Sequence, residues 1–294
     1  MRLVFVLVAA LAACASPPAP ADALVLPDGR VVATLVHVPH DPAHHLDTYK
    51  PFHRVFAGDG RQLTKDLGGL YEHHRGLFVG WNQVRCNGKS FDFWHCSHGE
   101  TQVVTAIAGG GQQPQTTAID WLGADGTAIV HEQRTVAVRA LDADTFVLDV
   151  TVQLAAGAAD VQLGGDPHHA GCQFRALQQF APDGAAKAQF VRPASAKAGK
   201  DDTWSDCAWT AMRLPFADAT VVVLRVEHPD NPPATWSTRD YGRFGAMGTA
   251  TLAGATAVRW RYAYVITTER GQFTTFGNPP ADPYADLARR AFAP

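Results

Sequence analysis

The chain has 294 residues, of which 46% are hydrophobic and 18% charged, with a net charge of −3. Its Lys and Arg residues are scattered, so the basic stripe that a nucleic-acid binder needs is missing, and nucleic acid is excluded as a partner. Without its N-terminal leader the chain keeps about 270 residues, enough to bury the core of one large β domain.

Arg2 precedes an apolar run from Leu3 to Ala13 and then Cys14, the charge, core and cleavage layout of a secretory signal. The run is too short for a bilayer, which takes about 20 apolar residues. Leu11-Ala12-Ala13-Cys14 fits a lipobox, which predicts removal of residues 1–13 and a lipid on Cys14. That lipid would be the sole membrane attachment of a periplasmic or outer-membrane lipoprotein. A rival cut after Ala21-Asp22-Ala23 would release a soluble chain beginning at Leu24. Residues 14–30, Pro/Ala-rich at first, read as a tether, and 31–294 as a single β-sandwich domain.

Period-two alternation then recurs through Val31–Val38, Gly76–Val84, Thr117–Leu122, Thr127–Val138, Gln173–Phe180, Thr220–Glu227 and Val258–Thr267. It is clearest in Phe146, Leu148, Val150, Val152 and Leu154, which predicts a half-buried strand. Asp125-Gly126 marks a hairpin turn. Residues 194–203 read as a surface excursion. One helix is predicted, at the C-terminus, with Asp282 as its cap, Pro283 at its first position and Asp286 ahead of Arg289 and Arg290. Many strands without crossover helices make the fold all-β, a large antiparallel sandwich with a short C-terminal helix. Beyond Cys14, the four cysteines of an exported chain predict two disulfides, Cys86 with Cys96 and Cys172 with Cys207.

Thirteen histidines are present, six of them in the pairs His44-His45, His73-His74 and His168-His169. Neighbours on a strand face opposite ways, so each pair offers one inward imidazole at most. His74 and Asn82 share a face by parity but lie roughly 26 Å apart along a straight strand, and they meet only if the chain turns. Glu132 and Arg134, roughly 6.6 Å apart on one face, form either a surface ion pair or part of a site. His73, His74 and Arg75 could equally build a structural turn, Asp92 to Trp94 a packed aromatic strand, and Arg239-Asp240 an ion pair that fixes a loop.

Three stretches combine into a pattern. Tyr71-Glu72-His73-His74-Arg75-Gly76 leads into Leu77-Phe78-Val79-Gly80-Trp81-Asn82 and then Asp92-Phe93-Trp94-His95. Asp166-Pro167-His168-His169-Ala170-Gly171 is followed by Gln173-Phe174-Arg175, and Asn231-Pro232-Pro233 by Thr238-Arg239-Asp240-Tyr241-Gly242. Together, over about residues 45–270, they resemble the PmoA-like ("methane oxygenase PmoA") family of exported bacterial proteins. The resemblance implies a sandwich of the galactose-mutarotase (supersandwich) type and a carbohydrate or other small-molecule substrate on a concave sheet face. The implied activity is acid/base chemistry on sugars or keto-glycosides: epimerisation, elimination or hydrolysis. A non-catalytic carbohydrate-binding lipoprotein is the alternative. A metal-dependent oxygenase, as the family's name has it, ranks third, because a histidine brace needs His as the mature first residue and either cut leaves Cys14 or Leu24.

On this reading Glu132 is the base, His74 or His169 the acid, and Arg75 and Arg239 stabilise an oxyanion. Trp81 or Trp94 stacks on a pyranose, and His73, Asn82, Asp92, His95, His168, Arg175 and Asp240 complete the substrate contacts. No cofactor follows, apart from a divalent metal that His73 or His74, His95 and His168 or His169 would suit. Mass spectrometry of the mature chain tests the leader: an acylated Cys14 terminus is expected, and an unacylated chain beginning at Leu24 would remove the anchor.

Overall fold

The alternating runs become strands because each buries one side chain in two against a second sheet. The computed structural model describes residues 22–181, 184, 186–254, 256–269 and 284–293, so Cys14, the signal segment, Asp282 and Pro283 lie outside the described residues. A nine-stranded antiparallel sheet runs in the order Ala23–Val25, Val31–Val36, Phe52–Val55, Leu77–Trp81, Ala170–Arg175, Arg243–Met247, Thr235–Arg239, Thr203–Ser205, Lys197–Ala198. An eight-stranded one follows Gln189–Val191, Trp209–Pro215, Thr220–Glu227, Val258–Glu269, Thr145–Ala156, Ala128–Ala140, Gln113–Leu122, Thr101–Gly110. A small third sheet is built from Ala250–Leu252, Val161–Gly164, Gln83–Cys86 and Lys89–Phe91. The inner faces of the two large sheets meet in one core, where Trp81 packs on Trp121 and Trp260, and Phe174 on Tyr264. This is the all-β, antiparallel sandwich expected, with a short helix at Ala285–Arg290.

Several boundaries differ from expectation. Gly76–Val84 is two strands in different sheets, because the chain breaks at Asn82, whose amide side chain donates to Asp166. Gln173–Phe180 divides into a strand that ends at Arg175 and a 3-10 turn at Gln178–Phe180. The excursion at 194–203 carries the start of an edge hairpin, Lys197–Ala198 with Thr203–Ser205. Asp125-Gly126 makes its predicted turn, with Gly126 at φ +80° and Asp125 Oδ1 accepting from Thr127 N. A helix of one turn at His45–Thr48 went unpredicted, since four residues show no period. The tether is shorter than 14–30: Ala23–Val25 is buried and pairs with Val31–Val36, and Ala23 O accepts from Gly111 N.

The two predicted disulfides are not formed; all four thiols are free and buried. Cys86 sits in the small sheet opposite Val161 and Lys89, while Cys96 lies in a left-handed turn at φ +54°. Cys172 reaches across the inter-sheet core to the Tyr264 hydroxyl, and Cys207 donates to Trp209 O. The sulfurs of Cys172 and Cys207 are thus taken up by their own surroundings.

Glu132 and Arg134 point into the sandwich. Glu132 accepts from Trp121 Nε1 at 2.8 Å and from Arg134 Nε at 2.7 Å, and neither side chain is more than 1% exposed. Such a pair contributes little net stability when whole but leaves an uncompensated buried charge when broken. Glu132→Ala is therefore predicted to lower the unfolding free energy by about 3–5 kcal/mol in a urea titration. A loss under 1 kcal/mol would mean that the pair is hydrated.

Candidate functional site

On the outer face of the nine-stranded sheet, Gln173, Arg175, Ser237 and Arg243 are polar yet fully buried, because irregular segments cover them. Those segments carry the histidines. In the first, His74 N closes a turn on Tyr71 O, with Tyr71 at φ +56°, and the Lys65 ammonium donates to His74 O at 2.9 Å. The turn ends at Gly76, φ +53°, where a Cβ would stand 2.3 Å from His53 O, so no other residue fits.

The second segment is an Asx turn. Asp92 Oδ1 accepts from the backbone N–H groups of Trp94 and His95, and Oδ2 accepts from His95 Nδ1 at 2.7 Å. The third repeats the design at the same spacing: Asp166 Oδ1 accepts from His168 N, and both its oxygens lie 2.9 Å from His169 Nδ1. Burial alone would raise both carboxyls, but the bonds from the histidine ring and backbone outweigh it, so Asp92 and Asp166 titrate below the ordinary value. Ionised carboxylates accept only, so His95 and His169 each carry a proton on Nδ1, and the neutral form of each ring has its lone pair on Nε2.

The three segments bring the rings together. Centroids lie 4.2 Å apart for His73 and His74, 4.5 Å for His73 and His95, and 5.1 Å for His95 and His169. His74 lies parallel to Tyr241 and edge-on to Trp94. Burial, then the Lys50 charge, pushes His73 down to about 2. Burial and His73 hold His74 well below the usual imidazole range. Both ring nitrogens of His74 are buried with no partner among the described residues. Lys50 lies behind the cluster and donates to Trp94 O at 2.6 Å; burial drops it to about 7.

A cleft of about 490 Å³ opens over these rings, lined by Tyr71, His73, His74, His169, Asp202, Arg239, Asp240 and Tyr241, within the range of small-molecule sites. Arg239 donates to Asp201 O at 3.2 Å and stands 3.9 Å from Asp202. His168 turns aside to Ser237 Oγ at 2.7 Å. Asn82 joins the site through Asp166.

Other candidates are placed elsewhere. Glu132, the expected base, is in the inter-sheet core. Arg75, an expected oxyanion clamp, is fully buried, lies over the Tyr49 ring, and donates to Leu46 O and Glu72 O. Trp81 is core and donates to Gly248 O. Trp94 is fully buried as a wall beneath His74 and His169, so it offers a sugar no open face. Arg175 lies over the Tyr241 ring and donates to the Ala176 and Tyr241 carbonyls. Sequence reasoning missed Tyr71, Tyr241, Asp166 and Asp202. The Asp-x-x-His spacing shared by Asp92/His95 and Asp166/His169 was the available signal for the second carboxylate.

The profile of DUF6807, a family of unknown function, matches residues 23–274. This match corrects the resemblance to the PmoA-like family, which nothing found here supports. No curated protein matches the chain. Among solved structures, a polysaccharide lyase aligns with TM-score 0.40 and 8% identity over 82% of this chain and 33% of its own. Heparan sulfate lyase HepC from Pedobacter heparinus gives 0.31 and 10% over 82% and 33%. Heparinase III gives 0.23 and 13% over 66% and 24%. The chain spans about a third or less of those proteins, and likeness at this level says nothing about chemistry.

Acid sensitivity follows from the buried imidazoles. Behind Gly76, His53 donates from Nε2 to Gln115 Oε1 at 3.0 Å, and burial, then the Arg134 charge, lowers it to about 3. Between pH 6.5 and about 3 the unfolded chain binds a proton there that the folded chain does not, so stability falls as pH falls, by about 1.4 kcal/mol per pH unit. His53→Gln keeps a donor for Gln115 and is predicted to flatten the pH dependence of the urea midpoint between pH 6.5 and 5. An unchanged slope would count against a neutral His53.

Proposed function

The chain belongs to the DUF6807 family of unknown function, and we propose from its cleft that it is an exported enzyme performing acid/base chemistry on a sugar or keto-sugar. The observation that carries this reading is His169, held by Asp166 with its Nε2 unengaged, on the wall of a cleft that also contains Arg239, Asp202 and Asp240. Nε2 of His169 takes a proton from carbon or oxygen, and the imidazolium that forms is stabilised by Asp166. Arg239 stabilises negative charge developing on a carbonyl or ring oxygen.

The rest of the lining supports a hydroxyl-rich substrate. Asp202 and Asp240 accept from vicinal hydroxyls, and the Tyr71 ring, 43% exposed, offers the open aromatic face that Trp81 and Trp94 do not. His95 is a second imidazole of the same construction beside the first, which gives a second proton carrier for elimination or epimerisation. Export with a lipid on Cys14 is part of the proposal. It is supported by the burial and pairing of Ala23, since a cut after that residue would take away one of the three paired residues of a buried strand.

The test is NMR of purified protein incubated with 3-keto-glycosides, uronate-containing oligosaccharides and plain glycosides. Turnover of at least one class is expected, with His169→Ala slowing kcat by about 10²–10⁴-fold. No turnover, or turnover untouched by His169→Ala, would sink the catalytic assignment. Saturable sugar binding without turnover would establish the non-catalytic binding protein instead.

A further inference from the structure

We propose that a divalent transition-metal ion of the zinc class binds at the cleft wall on His73 and His169, which line it, and on His95 beside them. The inference concerns the pocket just described and engages the same His169 Nε2 lone pair as the proposed base, so the ion-loaded chain is a separate state from the one in which His169 takes a proton.

Three observations carry it. First, His95 and His169 are each bonded through Nδ1 to a carboxylate, Asp92 and Asp166. A carboxylate of this kind fixes the tautomer and ring direction of a metal-binding imidazole and raises its basicity. Two copies of the arrangement at identical spacing, from separate loops, meet at rings 5.1 Å apart.

Second, the two pinned rings stand at a spacing that allows shared coordination. With Zn–N near 2.1 Å, an imidazole centre stands about 3.2 Å from the ion, so two ligands at a tetrahedral angle sit about 5.2 Å apart, and His95 and His169 are 5.1 Å apart. His73, 4.5 Å from His95, is near enough to reach the same ion once it turns. Among the described residues no three His, Cys, Asp or Glu side chains already converge as a metal-holding group, so the rings must turn to bind. His95 and His169 are pinned by their carboxylates. His73 makes no hydrogen bond among those described and is held by ring contacts with Tyr71, His74 and His95, so it is the ligand able to swing in.

Third, the pocket contains unmet polar capacity. His74 is 2% exposed, lines the cleft, and has both nitrogens without a partner among the described residues. A buried imidazole in that state calls for a ligand or water in the space it faces. An ion on its neighbour His73, carrying a bound water, would supply one. The remaining coordination positions would face the cleft, open to water or to a substrate oxygen, as in catalytic zinc sites. By contrast, His131 is bonded to Asp120 at 2.7 Å on the open face of the other sheet with no second imidazole beside it, and it is not expected to bind.

The test uses untagged, chelator-stripped protein titrated with Co²⁺ and then Zn²⁺, followed by visible absorption and calorimetry. One equivalent of Co²⁺ per chain is expected, with d–d bands that Zn²⁺ displaces. His95→Ala and His169→Ala should each weaken binding at least 100-fold, Asp92→Asn and Asp166→Asn by about 10–100-fold, and His131→Ala not at all. Circular dichroism and a urea midpoint identify folded variants. If an alanine variant does not fold, the asparagine variants, which keep the size of the side chain, carry the test. The proposal is overturned if the wild type shows no saturable single equivalent, or if binding survives in folded His95→Ala or His169→Ala, or in both asparagine variants. Because the readout is metal binding alone, it can fail while sugar turnover stands, and the reverse.

Discussion

Buried cations bound to backbone carbonyls are what the cleft depends on. Lys65 holds His74 O, Lys50 holds Trp94 O, Arg75 holds Leu46 O and Glu72 O, and Arg175 holds the Ala176 and Tyr241 carbonyls. Every segment secured in this way carries or adjoins a residue of the site: Tyr71 to His74, Trp94 with His95, the loop at 45–48, and Tyr241. These segments have no ladder of their own, and a buried carbonyl needs a donor. A long buried side chain provides one and holds the loop in place. The cost is desolvation of the charge, visible in Lys50 and Lys65 titrating down near 7 and 8.

The same cations set the electrostatics above them. Lys50 acts on both His73 and His74, and Arg243 and Arg175 act on His74, all against protonation. Imidazoles already desolvated are thereby kept neutral, which is the form that accepts a proton or a metal. The two carboxylates that balance this positive field hold His95 and His169 through Nδ1 and leave Nε2 of each ring unoccupied by them. Arg239 and Asp202 line the same cleft and bring the charges to it.

Most of the fold was legible because a sandwich imposes a strict period of two: Thr145–Ala156 alternates along nearly its whole length, with its partners Ala128–Ala140 and Val258–Glu269 beside it. The errors fall where another constraint overrides the period. Asn82 interrupts an apolar run because its amide is needed at Asp166, and nothing in a local window reports a partner 84 residues away. The disulfides failed for a similar reason. An even number of cysteines in a presumed oxidising compartment gives a count, whereas pairing requires neighbouring Cβ atoms, and Cys172 and Cys207 were already committed to Tyr264 and Trp209.

Within the site, residue type was a better guide than role. The histidine clusters did converge, but Glu132 and Arg134 were misread because parity shows that two residues share a face and not which face that is. Their face is the inner one, where an arginine and a glutamate saturate each other and Trp121. The Asp-x-x-His pattern has the same limit. Asp41 and His44 have the identical spacing, and Asp41 Oδ1 accepts from Ala43 N as Asp92 and Asp166 accept from the residue two further on, yet no bond joins its carboxylate to the His44 ring among the described residues. What distinguishes Asp92/His95 and Asp166/His169 is the burial that surrounds them. Packed against Trp94 and one another, the rings are directed back onto their carboxylates, and the pattern becomes a pair of oriented imidazoles only because two distant loops are pressed onto one patch of sheet.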